Sequence, residues 1–122
     1  MSFRLTAAVL GTPDPPGLAR FYQELLGWQV TPTHPNWVTL RPADGGAGLS
    51  FQLEESHVPP VWPAANGDQQ MQLHLDIEID DLAAATEVAV AAGATLADLQ
   101  PQDDVRVLLD PAGHPFCLWV RT

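Results

Sequence analysis

The residues best able to do chemistry lie in one short stretch where apolar and polar side chains alternate. This alternation runs from Leu73 to Asp80 and is typical of a strand with one buried face. Successive strand residues point to opposite faces, so His74 and Asp76 share the polar face. A histidine beside a carboxylate can bind a ligand or act as a base, hold a metal ion, or make a structural hydrogen bond. The sequence leaves these three alternatives open for His74.

A second apolar run, residues 116–120, carries the one cysteine of the chain, Cys117. Trp119 follows two residues later on the same face, so we expect both side chains to point into a pocket. Trp37 lies in another predicted strand, and Trp62 lies in a Pro-rich segment that can fold over a pocket as a lid. Tryptophan at such positions is also used as core filler.

Other catalytic patterns are missing from the sequence. It contains no Gly-x-Ser-x-Gly nucleophile elbow, no phosphate-binding loop and no Cys-x-x-Cys pair. The glycine-rich segment 45–48 precedes a predicted strand, so no helix dipole is available there to bind a phosphate.

The charge is strongly negative and unevenly distributed. Fifteen acidic residues against five arginines give a net charge of −10, which argues against nucleic-acid binding. Residues 1–54 carry four acids and three arginines, whereas residues 55–122 carry eleven acids and two arginines, a net charge of −9. The negative electrostatic field of residues 55–122 suits a cationic ligand, but an acidic face that is simply solvated gives the same charge pattern.

Length and composition indicate one cytoplasmic domain. A chain of 122 residues with 46% hydrophobic content can build a single core. No apolar run reaches the length of a membrane span, and the first residues lack the apolar region of a secretory signal. A single cysteine forms no internal disulfide, which favours a reducing compartment.

The chain contains one internal repeat of a strand, a capped helix and further short strands. Asp14 and Asp81 are predicted N-caps, and Gly27 and Gly93 end the two helices. The predicted helices span 15–26 and 81–92, and the strands after them span about 36–41, 48–54, 104–109 and 115–121. The second helix is predicted to turn one apolar stripe inward, formed by Leu82, Ala85, Val88, Ala89 and Ala92.

Four segments in this order resemble the vicinal-oxygen-chelate superfamily, which includes glyoxalase I, extradiol dioxygenases, fosfomycin-modifying enzymes and bleomycin-resistance proteins. The segments are Ala19-Arg20-Phe21-Tyr22, Leu25-Leu26-Gly27-Trp28, His74-Leu75-Asp76-Ile77 and Asp110-Pro111-Ala112-Gly113-His114-Pro115-Phe116. The small glyoxalase-like proteins are the most similar in character. The resemblance implies an α+β fold in which two tandem βαβββ units form a curled mixed-sheet cup. One domain, 1–122, would then consist of unit one (1–54), a connector (55–71) and unit two (72–122).

The resemblance also implies four positions for metal ligands, two in each unit. Carried over to this sequence, they are occupied by Ala7, Gln52, His74 and Cys117. Alanine cannot bind metal, the amide of Gln52 is a weak donor, and a thiol in an apolar strand resists ionisation. The expected metal site is therefore incomplete, with His74 and Gln52 as weak candidates. No cofactor is predicted firmly, and a divalent metal stays an alternative.

Three functions remain open at this point. The first is a small-molecule-binding protein of the sequestering or resistance kind, with its pocket between the units. The second is a metal-dependent lyase, isomerase or dioxygenase of the same superfamily. The third is a cup filled by its own side chains that serves partner binding. We also expect a homodimer, since open sheet edges invite pairing. The predicted ligand-binding residues are Trp37, Gln52, Trp62, His74, Asp76, Cys117 and Trp119.

Overall fold

The computed structural model describes residues 1–31 and 34–121. The chain divides into two compact units, Met1–His57 and Val58–Thr122, so most of the predicted connector belongs to the second unit. In chain order the elements are β1 (Ala7–Thr12), α1 (Pro15–Leu26), β2 (Gln29–Val30), β3 (Trp37–Arg41), β4 (Gly48–Leu53), β5 (Leu75–Glu78), α2 (Leu82–Ala92), β6 (Thr95–Leu96), β7 (Val105–Leu109) and β8 (Pro115–Trp119).

Both helices begin at the predicted aspartate caps. The carboxylate of Asp14 accepts a hydrogen bond from the amide of Gly17, and that of Asp81 accepts one from Ala84. Each bond satisfies an amide that has no partner within the helix. Gly27 ends α1 in the left-handed region, with φ of 70°, where a residue with a Cβ would be strained. The predicted helix boundaries are confirmed to within one residue.

Each unit contains a four-stranded mixed sheet with the same topology. The strand orders are β1-β4-β3-β2 and β5-β8-β7-β6. In each sheet the first strand pairs in parallel with the last, and the remaining pairs are antiparallel. A parallel pair requires a crossover, and the helix supplies part of it. The predicted α+β class with two tandem βαβββ units is confirmed.

The core of the first unit is aromatic. Tyr22 on α1 is fully buried and stacks on Phe51 of β4, with ring centroids 5.8 Å apart. Phe21 meets Tyr22 edge to face at 4.9 Å. Such pairs add to the stabilisation that burial alone provides.

The second unit packs its helix less deeply. Ala89 is the one residue of α2 that is fully buried, whereas Val88 is 58% exposed. The predicted inward stripe is therefore wrong at Val88. Because α2 is apolar on almost every side, its periodicity does not identify the face that packs on the sheet. On the sheet side, Phe116 and Leu108 are fully buried.

Among the described residues, no helix is long and apolar enough to cross a membrane.

Candidate functional site

One face of the sheet in the second unit brings together the predicted chemical residues. The parallel pairing of β5 with β8 places Asp76 opposite Cys117. The antiparallel pairing of β8 with β7 places Cys117 opposite Val107, and Trp119 opposite Val105. Side chains opposite each other share a face, so all five lie together. The intervening residues of β8, Phe116 and Leu118, point the other way and are buried.

His74, Asp76 and Cys117 form a compact cluster on that face. The imidazole Nε2 of His74 lies 3.1 Å from Oδ1 of Asp76. One ligand atom from each of the three residues lies within 4.8 Å of the other two. The Asp76 carboxylate also accepts a hydrogen bond from the Cys117 thiol. Asp76 therefore orients both neighbours, although the side chains of His74 and Asp76 are 39% and 63% exposed.

The thiol of Cys117 is held in its protonated form. Partial burial raises its pKa above the ordinary value of 9.0, and the charge and hydrogen bond of Asp76 raise it further. Since the thiolate is the nucleophile and the metal ligand, both roles are opposed near neutral pH.

This shift predicts the pH dependence of Cys117 alkylation. In the folded protein, the midpoint of the rate profile with iodoacetamide should lie above pH 9.0, at higher pH than in the urea-unfolded chain. Asp76→Asn should move the profile to lower pH because it removes the negative charge, whereas Asp104→Asn should leave it almost unchanged. The folded pKa is raised, so this thiol contributes stability below pH 9.0 that is lost as the pH rises through the folded pKa. Identical profiles for the wild type and Asp76→Asn would contradict the assignment.

Two cavities open onto the cluster and share residues of its wall. The first measures about 150 Å³ and is mainly apolar, with Trp62, Met71 and Val107 in its wall. The second measures about 360 Å³ and is more polar, with Asp76 and Asp104 in its wall. The residues shared by both are His74, Gln102, Val105 and Cys117. The two cavities therefore adjoin, and together they are called the depression, with an apolar part and a polar part.

The predicted tryptophans of this unit line different parts of the depression. Trp62 borders the apolar part and Trp119 the polar part. The guanidinium of Arg121 lies 5.2 Å from the centre of the Trp119 ring and forms two hydrogen bonds of 3.1 Å to Glu78. Arg121 is thereby neutralised by Glu78 and occupies a cation–π position on Trp119.

Comparison with known proteins identifies the family. The family model of the glyoxalase-like domain matches residues 7–119. The chain belongs to the glyoxalase-like domain family. A glyoxalase/bleomycin resistance protein/dioxygenase family enzyme from Burkholderia phytofirmans PsJN has a similar structure, with 22% identity and a TM-score of 0.72 over 97% of this chain and 98% of that chain.

Two further solved structures extend the likeness. A glyoxalase-related enzyme from Fulvimarina pelagi is 20% identical, with a TM-score of 0.69 over 98% of this chain and 89% of that chain. The fosfomycin resistance protein FosX from Listeria monocytogenes is 16% identical, with a TM-score of 0.71 over 100% and 96%. These likenesses show the fold, and the resemblance to the vicinal-oxygen-chelate superfamily is confirmed. No curated protein matches the sequence significantly.

In the first unit of this glyoxalase-like chain, residues 1–31 and 34–57 place no cluster of three metal-binding side chains on the corresponding sheet face. Trp37 is 43% exposed and donates its indole N–H to Thr39, whose hydroxyl lies 2.9 Å from that of Ser50. The amide of Gln52 donates to the carboxylate of Glu54. Ligand binding by Trp37 and Gln52 stays a prediction.

The strand register shows that one residue of the first unit was matched to the wrong residue of the second unit. Val9 and Asp76 each lie five residues before the helix cap of their unit, and they pair with Ser50 and Cys117 respectively. Ser50 rather than Gln52 is thus the counterpart of Cys117. A hydroxyl on a buried strand, already bonded to Thr39, is a poor metal ligand.

Sequence reasoning missed several residues that line the depression, among them Met71, Gln102 and Asp104. These three lie outside regular strands and helices, so no periodicity assigns them to a face. The one available signal was the acidic pair at 103–104, where the predicted strand 104–109 begins, and it does not tell which of the two side chains points inward.

Proposed function

We propose that this glyoxalase-like protein binds a small molecule in the depression on the second unit's sheet, as a sequestering or resistance-type protein. The pair of adjoining cavities beside His74, Asp76 and Cys117 carries this proposal. Ligand sites are typically concave and mostly apolar, with a few polar groups that fix orientation. The polar part alone, at about 360 Å³, is within the usual range for such sites.

The protonation of Cys117 supports binding over catalysis by this residue. A partly buried thiol that donates to a carboxylate is a poor nucleophile at neutral pH. The FosX neighbour is a resistance protein by name, which makes a resistance role consistent with the fold. Fold alone does not assign function, so the cavity chemistry carries the argument.

His74 provides the test of this site. With benzyl alcohol as the probe, amide shifts in a ¹H–¹⁵N spectrum should change along β7 and β8. His74→Ala should weaken this binding about fivefold, a loss typical of one hydrogen bond. It should lower the melting temperature by no more than about 4 °C, because the His74 side chain is 39% exposed and gives up few contacts.

His34→Ala is the matched control, since His34 is an exposed histidine of the first unit. It should leave the binding of benzyl alcohol unchanged. A large fall in melting temperature for His74→Ala with an unaltered response to the probe would show that His74 is structural.

A metal-dependent lyase, isomerase or dioxygenase is the second candidate, favoured by the close approach of three possible ligands. His74, Asp76 and Cys117 would hold the ion, and their nitrogen, oxygen and sulfur donors suit Zn²⁺ better than Mg²⁺. Ligand atoms around tetrahedral zinc lie roughly 3.5 Å apart, so a cluster spanning up to 4.8 Å fits after a small closure. A bound metal would supply a Lewis acid that polarises a ligand oxygen.

Calorimetric titration with Zn²⁺ separates the two candidates. Stoichiometric tight binding that is lost in both Cys117→Ser and His74→Ala would favour the enzyme. Weak Zn²⁺ binding that is unchanged in Cys117→Ser would support the first candidate, a small-molecule-binding protein without a metal. The homodimer stays a prediction. Light scattering of the same samples measures the molar mass and so tests it.

A further inference from the structure

The two parts of the depression differ in size and chemistry in a way that restricts the ligand. The apolar part, about 150 Å³, has Trp62, Met71 and Val107 in its wall. An apolar cavity of about this volume holds one benzene molecule. The apolar part therefore accommodates one six-membered ring or a branched alkyl group of that size, and a fused two-ring system exceeds it.

The polar part is larger and negatively charged. Its 360 Å³ leave room for a polar group together with water. Asp76 and Asp104 line it, and no lysine or arginine is among the residues lining either part. Arg121, which lies over the ring of Trp119, is bound by Glu78 through two hydrogen bonds. An anion placed here would face two carboxylates without a cationic partner, whereas a cation would face two acceptors.

We propose that the ligand is a small organic cation, a protonated amine or amidine attached to one ring or compact alkyl group. This inference rests on the proposed function, because it takes the depression to be the binding site. The ring lies against Trp62, Met71 and Val107, and the cationic group lies among His74, Asp76 and Asp104. The shared residue Cys117 lies where the two parts of the ligand join.

The solvent exposure of Asp76 limits the expected effect. Its side chain is 63% exposed, so water and salt screen its attraction for a cation. Charge should therefore set selectivity more than affinity. We expect a cation to bind about fivefold more tightly than a neutral molecule of the same shape at low salt, with the preference falling as salt is added.

Three probes of almost equal shape test the charge: benzylamine, benzyl alcohol and benzoate. Dissociation constants are measured on the full chain by titration in ¹H–¹⁵N spectra at about 20 mM and about 300 mM salt. Benzylamine should bind most tightly, benzyl alcohol about fivefold more weakly and benzoate weakest. The preference for benzylamine should shrink at the higher salt concentration.

Variants assign the preference to the two aspartates. In a chain that carries both Asp76→Asn and Asp104→Asn, benzylamine should bind no more tightly than benzyl alcohol. Asp103→Asn is the control, because Asp103 is exposed and adjacent to Asp104 but does not line the depression. It should keep the order of the three probes.

Each outcome separates the inference from the proposed function. If benzyl alcohol and benzylamine bind equally, or benzoate binds best, the cationic ligand is excluded and the pocket remains. If none of the three probes shifts residues of β7 and β8, the proposed function fails as well. Tighter binding of 2-naphthylmethylamine than of benzylamine would overturn the size limit of one ring.

Discussion

Replacing Asp110 with alanine should lower the free energy of unfolding by about 3 kcal/mol. Asp110 is 4% exposed, and its Oδ1 accepts hydrogen bonds from the amides of Ala112 at 2.9 Å and His114 at 3.0 Å. Hydrogen bonds to a charged acceptor contribute about 1.5–3 kcal/mol each, and the variant leaves both donors without this partner. The affected turn joins β7 to β8, so the loss reaches the strands that carry the site.

Asp44→Ala provides the matched control for this prediction. Asp44 lies in the equivalent turn of the first unit, where its carboxylate accepts one bond of 2.8 Å from Gly46 in an exposed position. Water replaces that bond, so the expected loss is about 0.5 kcal/mol. Urea denaturation of both variants measures the difference. Equal losses would show that burial of the Asp110 turn contributes little.

Replacing Gly48 with alanine should cost about 3 kcal/mol, at the upper end of the range for overpacking in a core. A Cβ on Gly48 would lie 2.2 Å from the carbonyl oxygen of Leu40 on the neighbouring strand. The Cβ is attached directly to the backbone of β4 and the oxygen belongs to the backbone of β3, so neither can move aside without separating the strands. Gly48 also donates its amide to Thr6, which fixes the start of β1.

Gly46→Ala is the control for the steric argument. A Cβ there meets Oδ1 of Asp44 at 3.1 Å, and this side chain is flexible enough to give way. The expected change is within about 0.5 kcal/mol, as for surface substitutions. Thermal unfolding of both variants tests the contrast. A stable Gly48→Ala protein with an unchanged spectrum of β3 and β4 would contradict the close approach.

The elements that could be predicted from the sequence are those with strong local signals. Aspartate caps and terminal glycines determine where both helices begin and end. The aspartates accept hydrogen bonds from amides that have no partner within the helix, and the glycines end the helical run of backbone groups. The strand of His74 is shorter than its alternation indicated, since pairing with β8 begins at Leu75. Two strands, β2 and β6, have only two residues each, too few to show a periodicity.

The candidate site could be predicted in part for the same reason. Period-two alternation correctly placed Asp76, Cys117 and Trp119 on one face, because that relation depends only on the strand. The correspondence of Gln52 with Cys117 was wrong because it depends on turn length. Eight residues separate Leu40 from Leu49, whereas seven separate Leu108 from Phe116. Aspartates in the two turns therefore do not mark equivalent positions.

The pairing of β5 with β8 has a consequence for synthesis on the ribosome. β8 is the final strand of the described chain and the one neighbour of β5, and it also separates β5 from β7. Until β8 has left the exit tunnel, His74 and Asp76 belong to a strand without a partner, and Cys117 is not yet in place. The first unit has its complete sheet long before this. Nascent or C-terminally shortened chains therefore lack the face that carries the proposed site, and any binding there would have to wait until β8 has been synthesised.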